Sequence, residues 1–342
     1  MNGQRIGIIG AGSFGTALSK VFIDAGNEVQ IWAREADIVD QINYHHHNPA
    51  YLPDLELPKE LKAVKTLEEV VQNQQLLVLA TPSHTLRTMA ESIKPMLKGD
   101  EVVITVSKGI EQDTFMTMSQ VLVEALEGVI TSDQIGVLYG PSHAEEVAHQ
   151  KPTTVVAASY STRTATYIQN TCMTSMFRIY VNNDVLGVEI GGSVKNIMAI
   201  AAGVIDGAGW GDNTKAALIT RGLHEIKRMG VQFGAHTDTF SGLTGMGDLI
   251  VTCTSEHSRN RRLGLEIGKG KSLDEVVEGM DMVAEGVKTT RAVYYWAKKH
   301  GVEMPITTAI YQVLFEGMNP VDALNDLMNR DPKQEGLQDI YS

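Results

Sequence analysis

The sequence predicts an α/β amino-terminal half built on a doubly wound, mostly parallel sheet, followed by an all-α carboxyl-terminal half. Three observations carry this. Short apolar runs alternate with amphipathic helical stretches up to about residue 183. A glycine-rich turn joins the first strand to the first helix. Beyond residue 183 strand-like runs cease and only helical periodicity remains. The change of periodicity, with no Pro- or Ser-rich linker, separates 1–183 from 184–342, and 342 residues is the length of about two domains. Two tightly packed halves would make the cleft between them the natural ligand site.

Taken in order, RIGII (5–9) reads as a buried strand. Gly10, Gly12 and Gly15 follow. Phe14, Ala17, Leu18, Val21, Phe22 and Ala25 then recur at helical spacing until Gly26 closes the helix. EVQIW is the next strand and completes a βαβ unit. LEEVV is helical, LLVLA (76–80) a strand, Thr85 to Lys98 a helix and VVITV (102–106) a strand; GVLYG, TTVVAAS and FRIYV are later strands. In the second half, helices are expected at 186–205, 214–229, 259–268, 273–279, 287–299, 306–316 and 320–329.

The composition excludes several classes. With 41 acidic and 29 basic residues, a net charge of −12, the chain offers no broad basic face for nucleic acid or an anionic membrane. No apolar run is expected to approach the ~18 residues of a membrane span, and MNGQRIGIIGAG lacks the pattern of a signal peptide. Cys172 and Cys253 stand apart without C-x-x-C spacing, as reduced thiols of a cytoplasmic protein would. His45, His46 and His47 read as a solvated polar loop, and no metal site is expected.

Four motifs carry chemistry. Gly10, Gly12 and Gly15 between strand and helix form a Rossmann-type dinucleotide turn: the first for the tight turn, the second for close approach of a pyrophosphate, the third for helix–strand packing. At the end of the second strand Arg34 points to a 2′-phosphate and NADP(H), while the adjacent Glu35 offers the alternative of a ribose contact and NAD(H). Lys195, among Gly191, Gly192, Met198 and Ala199, is either a desolvated acid–base or a lysine snorkelling to the surface; spacing does not separate the two. Finally, Ser258 reads as an N-cap and Arg259, Arg261 and Arg262 crowd the first turn after it. Cations there oppose the helix dipole, so the turn is either a solvated patch or an anion site. Two loops past strand ends, SKG (107–109) and GPSHAEE (140–146), add Lys108 and Ser142 with backbone N–H groups.

Together, GAGSFGTAL, ATPSH, SKG, GPSHAEE, GSVKNIMAIAAG, GDLIVTCTSEHSRNR and VAEGV resemble bacterial-type NAD(P)-dependent glycerol-3-phosphate dehydrogenase along almost the whole chain. Ser193, where that family usually has Ala, and Asp54, where Gly often follows YLP, are small departures. The resemblance implies that Lys195 is the proton acceptor in glycerol phosphate oxidation. It implies substrate contacts from Lys108, Gly140, Ser142, Asp248, Ser258, Arg259 and Asn260, with Arg261 and Arg262 as solvated neighbours. Ser13, Phe14, Arg34, Lys108, Ala144, Arg259, Val283 and Glu285 would touch the dinucleotide. Asp248 either orients the Lys195 ammonium or binds a substrate hydroxyl. The implied role is reversible reduction of dihydroxyacetone phosphate to supply glycerophospholipid synthesis; a homodimer is expected, although no motif specifies it. The rival readings are a reductase of another oxo compound, which has no need of SRNR, and a non-catalytic dinucleotide sensor, which gains nothing from a desolvated Lys195.

Overall fold

The computed structural model describes residues 3–280, 284–332 and 334–335. Eight strands make the main sheet: β1 (Arg5–Ile9), β2 (Glu28–Trp32), β3 (Lys62–Val64), β4 (Leu76–Leu79), β5 (Val102–Thr105), β6 (Ile135–Tyr139), β7 (Thr153–Ser159) and β8 (Phe177–Asn182). Their order is β8-β7-β6-β5-β4-β1-β2-β3. Neighbours are parallel, as expected, except that β6 and β7 run antiparallel. The helix between those two strands, Ala144–Ala148, has five residues and spans about 7.5 Å, too short to carry the chain back along the sheet for a parallel return. All of β4 and β6 and most of β1 are buried, which is why they read as unbroken apolar runs.

The order reverses at β1, with β2 on one side and β4 on the other. That reversal is where doubly wound sheets bind ligands, at the carboxyl ends of the strands. The glycine turn leaves β1 at this place and opens helix α1 (Ser13–Asp24). A small antiparallel pair, His47–Asn48 with Leu52–Glu56, follows β2. The histidines are therefore not the expected loop: Gln41–His45 is a π-helical turn, His46 has the left-handed φ of 55°, and His47 begins a strand.

By its internal contacts the chain forms two units, Met1–Ser107 with Met118–Val185, and Lys108–Thr117 with Leu186–Ser342. Nothing in the periodicity signals that Lys108–Thr117 joins the helical unit. That unit holds α2 (Val185–Ala208), α3 (Asp212–Gln232), α4 (Asp248–Thr254), α5 (Arg259–Gly268), α6 (Leu273–Glu278), α7 (Glu285–His300), α8 (Pro305–Phe315) and α9 (Pro320–Met328). The α4 helix was not expected. Seven residues are too few for a clear period, and Gly245 and Gly247 precede them.

The α2 helix, expected over 186–205, runs from Val185 to Ala208. It is 24 residues long and apolar enough by length and composition to span a bilayer, yet its apolar window is wholly buried. It is the central core helix, hydrophobic nearly all round. Its carboxyl-terminal half crosses α5 with backbones in contact. A Cβ on Gly203 would lie 2.0 Å from the Arg261 carbonyl oxygen, and one on Gly264 would lie 2.0 Å from that of Ile200. Gly207 and Gly268 repeat the pattern one turn on, at 2.2 Å from the Leu265 oxygen and 2.4 Å from the Val204 oxygen. Any side chain at these positions would push the helices apart. The crossing thus sets where the amino terminus of α5 stands relative to α2.

Candidate functional site

The sheet unit carries the glycine turn. Gly10 has φ +117°, and a Cβ there would meet the Ala80 carbonyl oxygen at 2.7 Å, so the turn requires glycine. Gly15 packs so closely that its Cβ would lie 2.0 Å from the Gly10 oxygen. A Cβ on Gly12 would meet nothing within 4 Å; it would project into open space above the turn. Gly12 caps α1 through its backbone, with no side-chain cap and no acidic residue in the first turn. Open space over glycine and an uncapped positive helix end together fit a pyrophosphate.

Residues that sequence reasoning missed brace this turn. The Asn48 side chain is buried and its Nδ2 donates to the Ala11 carbonyl and to Thr16 Oγ1, both at 2.9 Å. Ser13 Oγ donates to the Tyr51 carbonyl at 3.2 Å. Phe14 and Ala144, two of the expected dinucleotide contacts, are partly buried and pack against the hydrophobic core of the sheet unit. Gly140 is buried with φ +152°, and Ser142 Oγ donates back to its carbonyl at 3.0 Å. Arg34 lies at the expected place with its side chain 83% exposed. Its Nη2 and Nε donate to Glu35 Oε1 at 2.7 and 3.0 Å. The two residues weighed as alternatives are therefore an ion pair.

The helical unit gathers the reactive groups. Lys195 is 6% exposed, on α2 between Val194 and Ile197, so it is not a snorkelling lysine. Its Nζ donates to Asp248 Oδ1 and, at 2.7 Å, to Thr252 Oγ1. Asp248 and Thr252 stand one turn apart on α4 and so share a face. Thr252 Oγ1 spends its own proton on the Asp248 carbonyl at 2.6 Å, which leaves it an acceptor toward Lys195. Asp248 Oδ2 accepts from Lys108 Nζ at 2.8 Å. Ser193, the departure from the family pattern, donates to the Gly109 carbonyl at 3.2 Å and ties α2 to the residue after Lys108. Thr252 was missed because its role exists only through contacts 57 residues away in sequence.

Burial pulls the Lys195 amine down from its ordinary value to about 7. Asp248 opposes this by favouring the charged form, and Lys108 adds to it as a second cation. A lysine at this value exists in both protonation states near neutral pH and so can give or take a proton.

The start of α5 is the third part. Ser258 caps the helix as expected, its Oγ accepting from Arg261 N at 3.2 Å. Asn260 is buried and its Oδ1 accepts from Gly286 N at 2.9 Å, which joins this turn to the start of α7, beside Glu285. Arg259 and Arg262 are exposed. Arg261 is not the expected solvated neighbour: it is half-buried, with Nε and Nη2 on Asp206 Oδ2 at 2.7 and 2.6 Å. Val283 lies outside the described residues. Among those described, no group of three or more His, Cys, Asp or Glu is placed to hold a metal.

Family profiles described as NAD-dependent glycerol-3-phosphate dehydrogenase N-terminus and C-terminus match residues 5–165 and 184–325. The chain is 53% identical over 332 residues to NAD(P)+ glycerol-3-phosphate dehydrogenase 1 of Salinibacter ruber, covering 97% of each. It is 51% identical to the enzyme of that name from Chlorobium limicola, covering 97% of this chain and 99% of the relative. Among solved structures it is similar to the glycerol-3-phosphate dehydrogenase of Coxiella burnetii, with TM-score 0.91 and 36% identity over 96% of this chain and 99% of that one.

The balance of charges on Lys195 is directly measurable. In Asp248→Asn the carboxylate that favours the ammonium is gone while burial and Lys108 remain. The amine should then titrate below the value of about 7 expected for the unaltered protein. Acylation of Lys195 by an amine-selective reagent, followed by mass spectrometry across pH, reads the inflection; a rise or no movement would show that Asp248 does not hold the proton.

Proposed function

The chain belongs to the NAD-dependent glycerol-3-phosphate dehydrogenase family, and from that premise we propose how its residues interconvert dihydroxyacetone phosphate and sn-glycerol 3-phosphate. NADP(H) is the preferred cofactor with NAD(H) also used, and the product feeds glycerophospholipid synthesis. Residues 1–183 supply the dinucleotide-binding part and 184–342 the substrate-binding part, with Lys108 working alongside the second. The observation that carries the reading is the buried Lys195 amine, brought to about 7 and held between Asp248 and Thr252.

A bound nicotinamide supplies the hydride to C2 in reduction and takes it back in oxidation. Lys195 does the proton work. As an ammonium it has three N–H donors. Asp248 and Thr252 take two, and the third serves the substrate's C2 oxygen, to which Lys195 passes its proton as negative charge develops there. In oxidation the neutral amine removes the C2 hydroxyl proton. Asp248 orients both lysines, and its contacts with them favour that role over binding a substrate hydroxyl. Ser258, Arg259 and Asn260 bind the phosphate: an N–H-rich helix start favours an anion, and the exposed Arg259 adds a charged fork. Gly140 and Ser142 complete the substrate contacts; Gly10, Gly12, Ser13, Phe14, Gly15, Arg34, Ala144, Val283 and Glu285 hold the dinucleotide, with Lys108 and Arg259 serving both ligands. The reading also takes the enzyme as a cytoplasmic homodimer. The unpaired, buried thiols of Cys172 and Cys253 are in keeping with a reducing compartment, and light scattering tests the assembly.

An absorbance assay of NADPH consumption with dihydroxyacetone phosphate beside unphosphorylated dihydroxyacetone tests this reading. Arg259→Ala should lower kcat/KM for the phosphorylated substrate roughly 10- to 150-fold, the worth of one charged hydrogen bond, at saturating cofactor. It should do much less to the unphosphorylated compound. Equal losses on the two substrates would put the phosphate elsewhere.

The cofactor preference has its own test. Arg34→Ala should weaken NADPH by about 1.5–3 kcal/mol more than NADH if its guanidinium leaves Glu35 for the 2′-phosphate. Fluorescence titration with each cofactor decides it, and equal weakening would show that Arg34 does not read that phosphate.

A further inference from the structure

The arginine-rich start of α5 contains a device that the proposed chemistry does not use. Arg261 is held at both ends. Its backbone N–H is taken by Ser258 Oγ at 3.2 Å, and its guanidinium by Asp206 Oδ2 through Nε at 2.7 Å and Nη2 at 2.6 Å. The other carboxylate oxygen, Asp206 Oδ1, accepts from Lys215 Nζ on α3 at 2.5 Å. All three side chains are mostly buried, at 14–18% exposure, so the group is poorly screened by solvent. One carboxylate thus ties α2, α3 and α5 together.

The glycine crossing explains why such a tie is needed. Gly203, Gly207, Gly264 and Gly268 let the backbones of α2 and α5 touch and so keep that face of α5 toward α2, but they bring no side chain to lock its first turn, where Asn260 Oδ1 accepts from Gly286 N on α7. The Arg261–Asp206 fork supplies that key. Successive helix residues are about 100° apart, so with Arg261 turned toward α2, Arg259 is about 200° round and faces away from it. Asp206, shared with Lys215, also offsets part of the positive charge at this end of α5. Burial pushes the Cys253 thiol on α4 up, and the charges of Lys195, Lys215, Arg261 and Asp206 all act on it as smaller influences.

We infer that Asp206 is a positioning residue for the anion-binding start of α5, acting through Arg261. This rests on the reading of Ser258, Arg259 and Asn260 as the phosphate site. Asp206 touches no reacting atom; it sets the rotation of the turn that does the binding.

The test uses the full-length enzyme with Asp206→Asn, Arg261→Met and the double variant, each checked for folding by thermal unfolding. Inorganic phosphate, as a competitive inhibitor against dihydroxyacetone phosphate, reports the site directly. Asp206→Asn should raise the phosphate inhibition constant and the KM for dihydroxyacetone phosphate about tenfold or more, on the scale of a charged hydrogen bond. Turnover of unphosphorylated dihydroxyacetone and the KM for NADPH should be little changed. Arg261→Met should do the same, and the double variant should be no worse than either single one, because the two residues act as one unit. Additive losses would overturn the proposal. So would tighter phosphate binding in Asp206→Asn, the result expected if the carboxylate merely weakens a nearby positive field. Should Asp206→Asn not fold, Arg261→Met alone decides, and unchanged phosphate inhibition there rejects the role. Arg259→Ala separates the two levels: a phosphate-selective loss there with none in Asp206→Asn rejects only Asp206, whereas no such loss in Arg259→Ala rejects the phosphate site itself.

Discussion

Everything at the reactive centre depends on two amines sharing one buried carboxylate. Asp248 is 1% exposed and meets Lys195 on one oxygen and Lys108 on the other. A single negative charge cannot compensate two desolvated ammoniums, so the deeper amine is driven toward its neutral form. Thr252 adds an acceptor rather than a charge and holds the amine in place without restoring its ordinary value. The long apolar helix α2 provides the desolvation, and it must be buried almost all round to do so. The same helix continues through its glycines into contact with α5, so Lys195 and the turn proposed to hold the phosphate are set against one core element.

In the proposed reading the two units meet different anions with related physics. The turn after β1 leaves the first N–H groups of α1 uncapped and clears the space over Gly12. The start of α5 instead has its cap, Ser258, and surrounds it with guanidinium groups of which one is held by a partly buried carboxylate. A backbone cradle suits a diphosphate that lies along the turn; a capped helix start with an exposed Arg259 suits a terminal phosphate.

Much of this was legible in the sequence, for identifiable reasons. Strands of the central sheet are buried on both faces and read as short apolar runs, while α1 and most helices of the second half carry a clear 3.6-residue period. Strand direction is not written in such runs, so the antiparallel β6–β7 pair could not be foreseen from them. The α4 helix was invisible because it is short and follows glycines, and with it went Thr252. Lys195, Asp248, Ser258 and Arg259 were named in advance; what joins them was not. Contacts such as Arg261–Asp206, 55 residues apart, and Lys108–Asp248, 140 apart, arise only once helices pack. The pairing of Arg34 with Glu35 was hidden for the opposite reason: adjacent residues were weighed as competitors when they are partners.

The central claim is that Lys195 titrates at about 7 and serves as acid in one direction and base in the other. The pH dependence of kcat/KM, measured with dihydroxyacetone phosphate for reduction and with glycerol 3-phosphate for oxidation, tests it most directly. Reduction needs the ammonium, which is present below the amine's pKa and lost above it; oxidation needs the neutral amine. The account predicts that reduction falls and oxidation rises as pH passes through about 7, with the two limbs crossing there and both inflections abolished in Lys195→Ala. Profiles that are flat through this range, or that bend in the same direction for both reactions, would contradict it.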